Sequence, residues 1–133
     1  MRYLWMVLFR FIMHYVVDQV VRRVGALLFG DALVEPADMA AAARSVAAEL
    51  GRRFPGRSIE VRVPPYAAVQ VGVVGGDGPS HRRGTPPNVV EVSPETFVRL
   101  AVGVLSWGDA VGGGLVKYSG VHAGDVAMML PLE

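Results

Sequence analysis

Few residues in this chain are equipped for chemistry, and their spacing decides most of what they can do. The most suggestive run is Gly112-Gly113-Gly114, within "LSWGDAVGGGLVKYSG". A phosphate-cradling loop needs a strand, then glycines, then a helix whose first amides face the anion. Here the order is helix, glycines, strand. The backbone on offer is therefore a helix C-terminus, where carbonyls and negative partial charge point outward. Lys117, the only lysine, falls inside the following strand, so no phosphate-binding lysine motif forms. The run is expected to end a helix through a left-handed glycine. A second run, Gly72 to Gly78, does follow a strand, but the "PSHRRGTPP" after it cannot open a helix promptly. It is expected to be a hairpin loop.

His14, His81 and His122 are scattered, with neither H-x-x-x-H nor H-E-x-x-H spacing, so no metal is expected. No G-x-S-x-G elbow occurs among the serines. Titratable groups available for catalysis reduce to His81, Glu91 and His122, which make no catalytic constellation. A non-enzymatic protein without a cofactor is the expectation. His81-Arg82-Arg83 is the one concentrated basic feature. It reads either as a solvated loop paired with Glu91 or Asp77, or as a contact for an anion or lipid headgroup. Hydrophobic residues make up 52% of the 133 and the net charge is +1, which supplies no basic face for nucleic acid. With no cysteine, disulfides and thiolate chemistry are excluded. That composition fits a reducing compartment, and the expected location is cytoplasmic.

The elements that must position these groups are legible from residue 31 onward. In "EPADMAAAARSVAAELGRRF", Met39, Ala43, Val46, Leu50 and Phe54 recur at helical spacing, ended by Pro55-Gly56. "SIEVRVPPY" alternates Ile59, Val61 and Val63 against Glu60 and Arg62, a half-buried strand. "AAVQVGVV" and "NVVEVS" predict two more. Ser93-Pro94-Glu95 has the residues of a helix start, with Phe97, Leu100 and Ala101 as its buried stripe. Ser106-x-x-Asp109 starts a short second helix with Trp107 and Ala110 inward. "LVKYS" is a final strand and "DVAMML" a closing helical turn stopped by Pro131. The order is α-β-β-β-α-α-β-α, an α+β domain with a mostly antiparallel sheet covered by helices.

Residues 1–30 have a different composition. Their longest apolar run, Tyr3 to Phe9, is too short for the ~20 residues that span a bilayer. Arg10, His14, Asp18 and Arg22 form one polar stripe on a helix that is otherwise apolar. Such a segment packs on the domain or on a second subunit. It can equally lie on a membrane surface, since it carries four arginines against one aspartate. A start codon assigned too far upstream is a third reading. A signal peptide is disfavoured by Arg10 and by the lack of an A-x-A site. The chain is thus read as an N-terminal amphipathic segment, 1–30, and one domain, 31–133, with peripheral membrane contact as one of the roles open to the former.

"RSIEVRVPPYAAVQ", "HRRGTPPNVVEVSPETFVRLAVGVLSWGDAV" and "GLVKYSGVHAGDVAMMLPL" together resemble the bacterial, largely actinobacterial, sterol-carrier family. That family is similar to the sterol carrier protein type 2 domain. The resemblance covers about residues 34–132 and is most specific over 58–132; residues 1–30 depart from it. It implies a sheet of about five strands layered with helices, and an apolar tunnel for a lipid or other hydrophobic small molecule. The expected lining is Val69, Val71, Phe97, Leu100, Leu105, Trp107, Val126, Met129 and Leu130, with Arg82 and Arg83 at the mouth. The competing expectation is a protein–protein interaction module without a usable cavity, motivated by the apolar face of residues 1–30.

Overall fold

The computed structural model describes residues 19, 21–30, 32–73 and 87–132. Helix α1 (21–29) leads into α2 (Pro36–Arg53), then strands β1 (Ile59–Val63), β2 (Ala67–Val71) and β3 (Asn88–Val92). Helices α3 (Pro94–Val102) and α4 (Trp107–Gly112), strand β4 (Val116–Ser119) and a 3₁₀ turn, Ala123–Met128, complete the chain. The element order follows the local signals, and the closing turn is 3₁₀ rather than α.

The sheet matches the expectation of about five, mostly antiparallel strands only roughly. Among the described residues it has four strands, in the order β2-β1-β3-β4, rather than five. It is mixed: β1 pairs antiparallel with β2 and β3 with β4, but β1 and β3 are parallel. β2 and β3 therefore form no hairpin with each other, and Gly75, Gly76 and Gly78 of the expected loop lie outside the described residues. Residues 74–86 lie outside the described ones. Alternation of side chains specifies two faces but not which strand sits beside which.

One face of the sheet is covered. Ile59, Val61 and Val63 of the inner strand β1 are fully buried, and Val71, Val90 and Val92 join them. Alanines let α2 approach closely: Ala43, Val46, Ala47 and Leu50 pack toward the sheet cluster. Gly51 continues that contact, since a Cβ there would come within 2.8 Å of Val69 Cγ2. A second face of α2, through Ala42, meets Val98 of α3 and Val24 and Leu28 of α1 in a separate apolar cluster. The described part of α1 is thus fastened to the domain, helped by an Arg23–Asp38 ion pair of 2.7 Å. Stripe positions Arg10, His14 and Asp18 lie outside the described residues.

Helix ends are built as the sequence announces. Ser93 Oγ accepts the Thr96 amide at 3.2 Å and Ser106 Oγ that of Asp109 at 3.1 Å. The triple glycine closes α4 by a Schellman pattern: Gly114 N–H donates to Val111 O and Leu115 N–H to Ala110 O. Gly114 carries the left-handed conformation, at φ +72°, one residue past the Gly113 cap.

Near the end of α2, Glu49 accepts from Arg52 Nη2 at 2.6 Å and Arg53 Nε at 2.7 Å. The Arg52 hydrogen bond, with that of Arg53 and both positive charges, outweighs burial and lowers the Glu49 pKa from 4.5 to about 2. A depressed carboxyl contributes stability above its unfolded pKa and loses it as the pH falls toward its folded one. Because Arg52 is largely exposed and screened, we expect Glu49→Gln to cost only about 1 kcal/mol at neutral pH. Urea melts at descending pH check this: the gap between wild type and variant should close between pH 4.5 and about 2.

Candidate functional site

The nine residues expected to line a cavity come together. Strand β2 contributes Val69 and Val71, and α3 contributes Phe97 and Leu100. Leu105 sits in the α3–α4 connection, Trp107 opens α4, and Val126, Met129 and Leu130 belong to the closing segment. All nine belong to one apolar cluster between the covered sheet face and the helices. They fall into two sets. Val71, Phe97, Leu100, Val126 and Met129 are at most 2% exposed and form the interior. Val69, Leu105, Trp107 and Leu130 are partly buried around it. Trp107 leans on Tyr118 of β4, with ring centroids 6.3 Å apart and planes tilted by 49°. The tail closes over this cluster, with Leu132 N–H donating to Ala101 O at 2.9 Å. Arg82 and Arg83 lie outside the described residues.

The other sheet face carries what the residue-by-residue reading left unassembled. Parallel pairing sets Arg62 beside Glu91, and the next register sets Glu91 beside Lys117. Glu60 lies two residues from Arg62 on the same face, and their side chains pair at 2.8 Å. That hydrogen bond, then the charge of Glu60, and more weakly that of Glu91, raise the Arg62 pKa. Two adjoining depressions follow this row. One of about 490 Å³ is lined by Glu60, Arg62, Pro64, Pro65, Tyr66, Ala67, Ala68 and Glu91. The other, about 330 Å³, is lined by Pro64, Glu91, Val92, Ser93, Gly114, Leu115 and Lys117. None of the nine apolar residues borders either. The alternation in "SIEVRV" placed Glu60 and Arg62 on this face, but only the β1–β3 pairing brings Glu91 and Lys117 to them.

Of the candidates for catalysis, the two that are described, His122 and Glu91, stand apart. His122 Nδ1 stands 3.5 Å from Asp125, and its backbone N–H donates to Asn88 Oδ1. Glu91 is three residues along β3 from Asn88 and points to the opposite face. His81 lies outside the described residues. Among the described residues no group of three His, Asp or Glu side chains is placed to hold a metal ion. Among them, too, no helix is long and apolar enough to cross a membrane.

Comparison with known proteins agrees with the fold. Residues 35–132, well over half of the chain, match the family model described as a bacterial SCP ortholog. No curated protein matches the chain.

Proposed function

Because the chain belongs to the bacterial sterol-carrier-protein family, we propose that it is a non-enzymatic carrier of a lipid or other apolar ligand. The observation that carries this reading is the convergence of the nine apolar residues on one cluster under the sheet. Hydrocarbon transferred from water to such surroundings gains about 25 cal/mol per Å². Few polar groups reach the cluster, so shape and volume rather than hydrogen bonds set its selectivity. The five interior residues are closely packed, so a chain enters by displacing the perimeter formed by Val69, Leu105, Trp107 and Leu130. Arg82 and Arg83 are assigned to the mouth. Native mass spectrometry of protein from its own host tests the carrier reading. A bound apolar mass is expected; no such mass, together with no uptake of fluorescent acyl chains, overturns it.

The reading includes a cytoplasmic location with contact at the membrane surface through residues 1–30. Support comes from Phe29 and Leu33, which are 77% and 99% exposed at the turn between α1 and α2. Arg22 adds an exposed positive charge on α1. The same two apolar side chains favour the second reading, a module that docks on a protein partner. Deleting the first thirty residues would confuse the two, because Val24 and Leu28 are part of the packed structure. A Phe29→Ser/Leu33→Ser double variant separates them. Under the carrier reading it still takes up acyl chains but floats less with anionic vesicles; under the module reading neither form takes up lipid.

A further inference from the structure

Among the described residues, the open sheet face holds two charged groups without a hydrogen bond or ion pair, apart from the weak attraction of Glu91 to Arg62. On that face Arg62 is engaged by Glu60 at 2.8 Å. Glu91 and Lys117 face each other across β3 and β4, yet among the described residues neither side chain makes a hydrogen bond or ion pair. Glu91 is half-buried and borders both depressions, whereas Lys117 borders the smaller. Pro64, Pro65, Tyr66 and Leu115 supply apolar walls beside them. A half-buried carboxylate gains from a cation that can reach it, and an ammonium from an oxyanion. Directly opposed residues stand about 5 Å apart at Cβ. That separation suits a ligand carrying both complementary charges on a short linker.

We propose that Glu91 and Lys117 form a binding site for a short aminoalkyl oxyanion. Glu91 receives the ligand ammonium and Lys117 its phosphate or carboxylate. The linker lies against Pro64 and Leu115. Such a zwitterion exists free or as the head of an aminophospholipid, and the site recognises the chemistry common to both. The site lies on the face opposite the apolar cluster, so its failure leaves the carrier reading untouched.

The test is a titration of the full ¹⁵N-labelled chain with O-phosphoethanolamine, read by amide shifts. Saturable shifts are expected around Tyr66, Glu91, Leu115 and Lys117. Glu91→Gln and Lys117→Gln should each weaken binding by about tenfold, equivalent to about 1.4 kcal/mol. Glu91→Asp and Lys117→Arg retain the charges and should retain most of the affinity, which separates lost recognition from a damaged fold. Ethanolamine or inorganic phosphate alone should not saturate. A dihexanoyl lipid with the same head identifies the source. Tighter binding than the free compound, with shifts extended over Tyr66 and Leu115, marks a lipid headgroup; equal affinity marks the free zwitterion. The proposal is overturned if neither zwitterion saturates, if phosphate alone binds as well, or if both glutamine variants bind normally.

Discussion

Replacing Gly120 with alanine should cost about 4 kcal/mol of folding stability, among the largest effects of any single methyl group in this chain. Gly120 follows β4 with φ +100°, a conformation that L side chains rarely adopt. Space is the second difficulty. A Cβ there would overlap Asn88 Oδ1, and it would come within 2.5 Å of Pro87 O and 2.8 Å of Asn88 Cα. Two of those contacts are backbone atoms of β3 or its approach, so no rotamer change relieves them. Chemical denaturation measures the loss. A cost below about 1 kcal/mol would show that the turn is not held as described.

The second large effect concerns the residue that Gly120 makes room for. Asn88 is only 2% exposed, and its side chain joins three parts of the chain. Its Nδ2 donates to Ser58 O at 2.9 Å, just before β1. Its Oδ1 accepts the His122 N–H at 2.8 Å, beyond β4. One amide thereby ties the ends of β1, β3 and β4. Asn88→Ala removes both bonds and leaves a carbonyl and an amide without their partners, for about 3 kcal/mol. Asn88→Asp discriminates further. Its carboxylate can still accept from His122 but confronts the Ser58 carbonyl, and burial raises its folded pKa above the unfolded value. Stability contributed by a raised carboxyl is present at low pH and lost as pH rises past the unfolded pKa. Asn88→Asp should therefore recover on acidification relative to Asn88→Ala. Parallel pH dependence of the two variants would contradict the assignment. The two sites should also be non-additive, since removing the Asn88 side chain relieves one of the Gly120 overlaps.

Local chemistry carried far in this chain. Ser93-Pro94-Glu95 gave the start of α3, Ser106 that of α4, and the glycines the end of α4, because caps and left-handed glycines act within a few residues. The nine apolar residues were also legible as buried or half-buried, through helical and strand periodicity. What escaped was long-range. Nothing in "NVVEVS" says that its partner is β1, with Ile59 paired to Asn88, and in parallel. β2 and β3 are not neighbours for that reason. Asn88 was hidden likewise, since its value lies in Ser58 and His122, which only tertiary structure brings near. The row Glu60, Arg62, Glu91 and Lys117 depends on the same parallel pairing. Buried-face alternation puts each charge on the open side, but adjacency on that side is a property of the sheet.

The central claim is that apolar ligand enters the cluster between sheet and helices. Methyl-selective NMR during titration with a short-chain fatty acid tests it most directly, with full chain and ligand in measured ratio. The account predicts saturable shifts at Val71, Leu100, Val126 and Met129, and their loss when Met129→Trp fills the interior while denaturation shows the fold retained. Shifts confined to the methyls of exposed Leu33, or no saturable shift at all, would contradict it.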